Sequence, residues 1–184
     1  SEADIGRTAE QRDDVAREYS FFFSKKDKPH KGWNIVEQAR GRLNDLSLRI
    51  LVTDTHAYHN NNLVSVGKHP HHRMPELYRQ SIATVMASNC YESFGITVIE
   101  SMACGTPVIA PDLPHLNNLI KHGYNGLLYP ARDSQRLAAC IRTLVSEPAT
   151  VRAMRGNCLE SARQFDYRLI ANQYYLPVLR AVIS

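Results

Sequence analysis

Short apolar runs recur along this chain, and most neighbouring runs are separated by a stretch with helical spacing. Tyr19–Ser24 (YSFFFS) reads as a buried strand, because aromatics favour a pleated surface. Leu48–Thr53 (LRILVT) is a continuous apolar strand of the kind buried on both faces. Leu63–Val66, Ile82–Ala87, Pro107–Ala110 (with Pro at its start) and Gly126–Tyr129 complete the strands. Helical spacing predicts helices over Asn34–Leu43, over Pro75–Ser81 with Leu77 and Tyr78 as the apolar face, over Gly95–Ala103, and over His115–His122. Gly105 is suited to the left-handed cap that stops the third of these. Asp54–Asn62 reads as a polar loop. After Tyr129 only helices are expected: Ser134 capping Gln135–Val145, Thr150 capping a second to about Gln164, and Asp166 capping a third over Tyr167–Ile183. Alternation of strand and helix argues a doubly wound α/β domain, a parallel sheet with helices on both faces.

The chain's 184 residues suffice for one well-packed domain and not for two. With 43% hydrophobic and 22% charged residues, the composition excludes a disordered or collagen-like chain. The formal charge of +4 is too small, and too little clustered, to indicate a nucleic-acid surface. The tightest basic group, Lys25, Lys26, Lys28 and Lys31, has two readings: a cradle for a small anion such as a diphosphate, or a solvated loop. Four cysteines (Cys90, Cys104, Cys140, Cys158) lack Cys-x-x-Cys spacing, so a reduced, cytoplasmic compartment is expected. No apolar run reaches the roughly 18 residues of a membrane span, and the polar first twenty residues, with no apolar core segment, are not expected to form a signal peptide. A start on Ser1 rather than Met points to a fragment or a processed chain. Residues 1–18 are read as a linker or charged extension, and 19–184 as the domain.

In an open parallel sheet, ligands bind beyond the carboxyl ends of the strands. Three segments follow such ends. Ser24–Trp33 is basic and holds a Pro and a Gly, so Lys26 and Lys31 can lie over phosphate oxygens through charge-assisted hydrogen bonds. In Ser88–Glu100, Gly95 opens a helix whose free N–H groups and positive dipole end make an anion site. Glu92 and Glu100 flank it; carboxylates only accept hydrogen bonds, and sugars offer pairs of hydroxyl donors. A solvent-exposed loop Glu and a helix-surface Glu would look the same in sequence. Asp112–His122 either closes the pocket or only connects two elements.

Within Glu92–Ala110 (ESFGITVIESMACGTPVIA) the chain resembles the group 1 (family 4) retaining glycosyltransferases of GT-B fold, whose hallmark is two glutamates separated by seven residues. Lys31-Gly32 resembles the family's first loop. Val66-Gly67 followed by Glu76-Leu77-Tyr78 resembles its base-binding strand and next helix, and Asn125-Gly126-Leu127-Leu128 a later strand. The likeness covers roughly residues 20–183 and implies the C-terminal, Rossmann-like donor domain of a two-domain enzyme. It implies that Glu100 holds the ribose hydroxyls, Glu92 contacts the transferred sugar, and the backbone of Phe94, Gly95, Ile96 and Thr97 lines sugar and diphosphate. Lys26 and Lys31 would neutralise the departing diphosphate. Gly67 and His69 would border the base. The implied donor is a UDP-, GDP- or ADP-sugar; no cofactor and no metal are expected; and a hexose would pass with retention to a carbohydrate or lipid-linked acceptor.

Several positions depart from the family pattern. Lys25 and Lys26 stand where Gly and Arg are usual, and Lys lacks the bidentate fork of Arg. Pro114, His115 and Asn118 stand in place of a Gly-Gly…Glu pattern. The family's N-terminal acceptor domain is missing from this sequence, so the chain alone is expected to bind donor weakly and to transfer nothing; any membrane contact, peripheral, would come through that domain. Two alternatives remain: a nucleotide-sugar-binding module acting with a partner chain, and a non-catalytic relative. The run His69, His71, His72 lacks Cys, Asp or Glu at metal-ligand spacing. Cys104 and Met102 read as packing residues, Trp33 as packing its helix, and Tyr174, Tyr175, Leu176 and Leu179 as one apolar face of the last helix.

Overall fold

The computed structural model describes residues 20–24, 28–60, 63–88 and 95–166. Seven strands form one sheet: β1 (Ser20–Phe23), β2 (Arg49–Val52), β3 (Ala57–Asn60), β4 (Leu63–Val66), β5 (Ala83–Val85), β6 (Val108–Pro111) and β7 (Gly126–Tyr129), in the spatial order β3-β4-β2-β1-β5-β6-β7. Six are parallel; β3 runs antiparallel to β4, with Ala57 opposite Val66 and Asn60 opposite Leu63. The expected polar loop over Asp54–Asn62 is therefore corrected. It holds an edge strand, and an edge strand with a solvated side needs no apolar run.

The helices are α1 (Trp33–Gly41), α2 (Met74–Arg79), α3 (Ile96–Ala103), α4 (Pro114–Asn117), α5 (Ser134–Ser146) and α6 (Pro148–Arg163). Strand pleating sends alternate side chains of β1 to opposite faces. Phe21 and Phe23 join a core with Ile35, Val36, Leu137 and Ile141 from α1 and α5. Phe22 packs on the other side, edge-on to Tyr78 of α2 with ring centroids 5.3 Å apart. Val98 and Met102 of α3 fill that side further along, with Leu116, Ile120 and Cys158.

Three helix boundaries differ from expectation. The helix expected over His115–His122 ends after four residues, because the buried side chain of Asn125 takes over the main chain that follows. Its Oδ1 accepts from Lys121 N (2.8 Å) and its Nδ2 donates to Leu119 O (3.1 Å) and Ser161 Oγ (3.0 Å). Asp133, not Ser134, caps α5, its Oδ1 accepting from Arg136 N at 2.9 Å. Thr150 sits inside the first turn of α6 and donates to Glu147 Oε2 at 2.9 Å, while Pro148 opens the helix. The helix expected over Tyr167–Ile183 lies outside the described residues.

The winding creates the crevice. From β1 the chain moves to β2 and β4 on one side; from β5 it moves to β6 and β7 on the other. Connections leaving the carboxyl ends of β1 and β5 therefore diverge, and a ligand can enter between them.

Candidate functional site

The crevice between β1 and β5 is built around one glycine. Gly32 ends the 3-10 turn Pro29–Lys31 and starts α1 at φ 75°, in the left-handed region. A Cβ on Gly32 would stand 1.9 Å from the carbonyl oxygen of Ala87, just past β5. The loop after β1 thus lies directly on the end of β5. Half-buried Lys31 consequently shares a small crevice with Ser24, Ala87, Ser88 and Thr97. Thr97 belongs to the first turn of α3, where N–H groups have no intrahelical acceptor and the dipole is positive. Gly95 opens this helix at φ 65°, and no side chain of the described residues caps it.

A wider cleft of about 600 Å³ continues from there across the carboxyl ends of β1, β2 and β4. Its walls carry Thr53 and Asp54 after β2, Lys68 and His69 after β4, and Ile96, Thr97 and Glu100 of α3. Asp54 Oδ1 accepts from Thr55 N at 2.7 Å, which fixes that turn. Ile96 is 61% exposed at the helix start, an unusual place for a large apolar side chain.

Glu100 is the carboxylate that α3 brings to this cleft. Tyr78 Oη donates to its Oε2 at 2.9 Å, and His71 Nε2 lies 2.7 Å from its Oε1. A carboxylate accepts only, so Nε2 carries the proton in that contact. Burial pushes the Tyr78 phenol well above its ordinary value, and the Glu100 charge raises it further, so the hydroxyl is a permanent donor. Behind it runs a buried chain of hydroxyls. Thr84 Oγ1 and Ser101 Oγ are 2.7 Å apart, Ser101 Oγ donates to Thr106 O at 2.8 Å, and Thr106 Oγ1 donates to Tyr78 O at 2.8 Å. These links explain why Thr84, Ser101 and Thr106 are polar although fully buried.

Of the residues singled out from sequence, the structure brings Lys31 and Thr97 into one crevice, and His69, Ile96, Thr97 and Glu100 into the adjoining cleft. Gly67, at φ 69°, ends β4 beside Lys68, and Gly95 sits at the head of α3. Lys26, Glu92 and Phe94 lie outside the described residues. Pro114 opens α4, with His115 half-buried and Asn118 exposed. Sequence reasoning gave Tyr78 to the apolar face of its helix and weighed His71 only as a metal ligand, a role it discounted; it missed Lys68 and Asp54. Only Tyr78 carried a signal, since a tyrosine on a buried face needs a partner for its hydroxyl. Among the described residues no three His, Cys, Asp or Glu side chains are grouped to hold a metal, and no helix is long and apolar enough to cross a membrane.

A family model described as glycosyl transferases group 1 matches residues 18–165. D-inositol 3-phosphate glycosyltransferase 1 of Catenulispora acidiphila is 35% identical over 115 residues, covering 62% of this chain and 27% of that protein. Phosphatidyl-myo-inositol mannosyltransferase of Mycobacterium leprae is 37% identical over 82 residues, 45% of this chain and 22% of that protein. The chain spans about a quarter of the length of the curated relatives it matches. Among solved structures, sucrose-phosphate synthase from Thermosynechococcus elongatus superposes with a TM-score of 0.79 at 24% identity, over 91% of this chain and 46% of that one. Anabaena HepE in complex with UDP gives 0.78 at 24% identity, over 98% and 53%. These likenesses establish the same α/β fold, and the family match runs through β1, the Lys31 turn, Glu100 and α6: the chain belongs to the group 1 glycosyl transferases.

Proposed function

We propose that this chain is the donor-binding domain of a retaining glycosyltransferase that passes a hexose from a nucleoside-diphosphate sugar to a carbohydrate or lipid-linked acceptor. One observation carries the reading. Lys31 lines a crevice at the switch point of the sheet, the fixed carboxylate of Glu100 lines the adjoining cleft, and the two share Ser24 and, at the head of α3, Thr97. The diphosphate lies at the β1/β5 crevice, against Lys31 and the first turn of α3. The ribose lies at Glu100, and the base extends toward Thr53, Lys68 and His69. Lys26 adds charge at the diphosphate, and Glu92 and the Phe94–Thr97 backbone line the sugar.

The chemistry asked of this domain is modest. As the glycosidic bond to phosphate breaks, negative charge grows on the diphosphate, and pre-positioned ammonium and N–H donors favour that state over the ground state. This work needs no bound metal. Acceptor positioning and exclusion of water fall to the partner domain that closes over the cleft. The relatives' names support glycosyl transfer, and the UDP held by HepE supports a nucleotide-linked donor. Residues 19–184 make up the proposed donor domain and residues 1–18 a linker or N-terminal extension, with work in the cytoplasm and any membrane contact made by the acceptor domain. Pro114 at the head of α4, with His115 and Asn118 after it, favours a second reading, a non-catalytic relative that uses the fold for interaction with a partner chain.

Calorimetric titration with UDP, GDP and ADP tests the donor site, and assay of the chain joined to its acceptor domain tests transfer. Lys31→Ala should weaken a diphosphate far more than its nucleoside; equal weakening of both removes Lys31 from the phosphate. NMR of the product reports the anomeric configuration, and inversion rules out the retaining mechanism.

A further inference from the structure

The two groups that hold Glu100 are unlike each other in every respect that governs exchange. Tyr78 is 1% exposed, packs edge-on against Phe22, and has its main-chain carbonyl tied to Thr106. Its hydroxyl reaches Oε2 from inside the protein, and withdrawing it would leave a buried donor without an acceptor. The His71 side chain is 85% exposed, sits on the 3-10 turn His71–Arg73, and reaches Oε1 from the open cleft. If it leaves, water solvates the imidazole at once.

We propose that Glu100 works with one permanent and one exchangeable partner: Tyr78 is a positioning residue that fixes the carboxylate, while His71 occupies its cleft-facing oxygen in the free protein and is displaced by a ribose hydroxyl of the donor. The proposal rests on the reading of Glu100 as the ribose contact and adds what prepares it. A free carboxylate swings about its side-chain torsions, and ordering it on binding costs conformational entropy. With Oε2 anchored by Tyr78, that ordering is complete before the donor arrives. Oε1 then exchanges one donor, the imidazole, for another, the hydroxyl, so no acceptor is ever left dry. Neither Tyr78 nor His71 needs to touch the reacting atoms.

The test separates ribose contacts from everything else. UDP, GDP and ADP are each titrated beside their 2′,3′-dideoxy forms, and the ratio of the two dissociation constants measures what the ribose hydroxyls contribute. In Tyr78→Phe the ratio should shrink by about tenfold, the scale of a hydrogen bond to a charged group, while the dideoxy form binds as to the wild type. In His71→Ala the ratio should grow by about two- to fivefold, since a solvent-exposed hydrogen bond competes only weakly. Equal weakening of both ligand forms by Tyr78→Phe would make Tyr78 merely structural and overturn the proposal. An unchanged or smaller ratio in His71→Ala overturns it too, because the imidazole would then not be displaced. A wild-type ratio of one instead removes the ribose from Glu100 altogether, a different failure that strikes the donor reading itself.

Discussion

Replacing Gly32 with alanine tests the geometry on which the site depends. Two costs add. The residue is held at φ 75°, a left-handed conformation that an L side chain enters at about 1–2 kcal/mol. The new methyl would also lie 1.9 Å from Ala87 O, a main-chain atom that cannot rotate away, so the loop must retreat by roughly 1 Å. Overpacking of that kind costs about 1–3 kcal/mol. Together they predict a loss of about 2–5 kcal/mol, which for a chain of this length lowers the melting temperature by about 5–15 °C. Retreat also carries Lys31 away from the head of α3, so the preference for UDP over uridine should fall even well below the melting point. Gly156→Ala is the matched control: that glycine is helical, and a Cβ there meets nothing within 4 Å. It should stabilise by about 1 kcal/mol, from helix propensity alone. Scanning calorimetry and isothermal titration read both effects. A Gly32→Ala protein that melts with the wild type and still favours UDP over uridine to the same degree would refute the close approach of the two loops.

Other expectations concern the scaffold. Asn125→Ala removes the groups that satisfy Lys121 N and Leu119 O, so it should cost about 2–4 kcal/mol by urea denaturation; a wild-type midpoint contradicts the bridging role. Asp45 is held below the ordinary carboxylate range, chiefly by its hydrogen bonds to Arg142. A depressed folded value means stability that is present above the unfolded pKa and lost as pH falls through the folded one. Asp45→Asn should therefore flatten the acid limb of a melting-temperature profile, and identical acid limbs reject the assignment. Burial pushes the Cys158 thiol up to about 12, so iodoacetamide at pH 8 should leave it untouched in the native protein and label it in urea. Native labelling of Cys158, read by peptide mass, would show that α6 does not seal it.

How far the sequence disclosed this protein depended on whether the governing interaction was local. The strands of the sheet centre announced themselves, because burial on both faces demands an unbroken apolar run such as Ile50–Val52. The edge strand β3 did not, since a strand paired on one side only needs no unbroken apolar run. The end of α4 was hidden because Asn125, eight residues beyond Asn117, supplies the hydrogen bonds that further helix would have made. The cap at Asp133 was displaced by one residue because Ser134 is an equally good capping type, and the start at Pro148 was missed because Thr150 is a better capping type than the Glu147 that precedes it. In the site, Gly95 and Glu100 were legible from their spacing about one short helix, and Thr97 only through the family resemblance. Tyr78 and His71 were not: they meet Glu100 across 22 and 29 residues of chain, and only the fold brings α2 and its preceding turn beside α3.

That juxtaposition raises the question of what keeps α3 in register, because the helix has two duties at once. Its head must face Lys31, and Glu100 must face Tyr78, yet it is only eight residues long. Apolar contacts from Val98 and Met102 resist separation from the sheet, but they are non-directional and tolerate a small rotation. Ser101, next to Glu100, is directional: it accepts from Thr84 on β5 and donates to Thr106 O. A rotation of α3 breaks both bonds in a dry interior, where unmade hydrogen bonds are costly. Ser101→Ala should thus lower stability by about 1–3 kcal/mol, since Thr84 keeps a buried hydroxyl without its acceptor. Adding Thr84→Val removes that stranded hydroxyl and should restore most of the loss. Affinity for UDP separates the two roles of the pair. If the hydroxyls aim Glu100, the double variant recovers its melting temperature but not its affinity. If affinity returns along with stability, apolar packing alone aims the helix, and the polar chain from Thr84 to Tyr78 has no part in presenting the carboxylate.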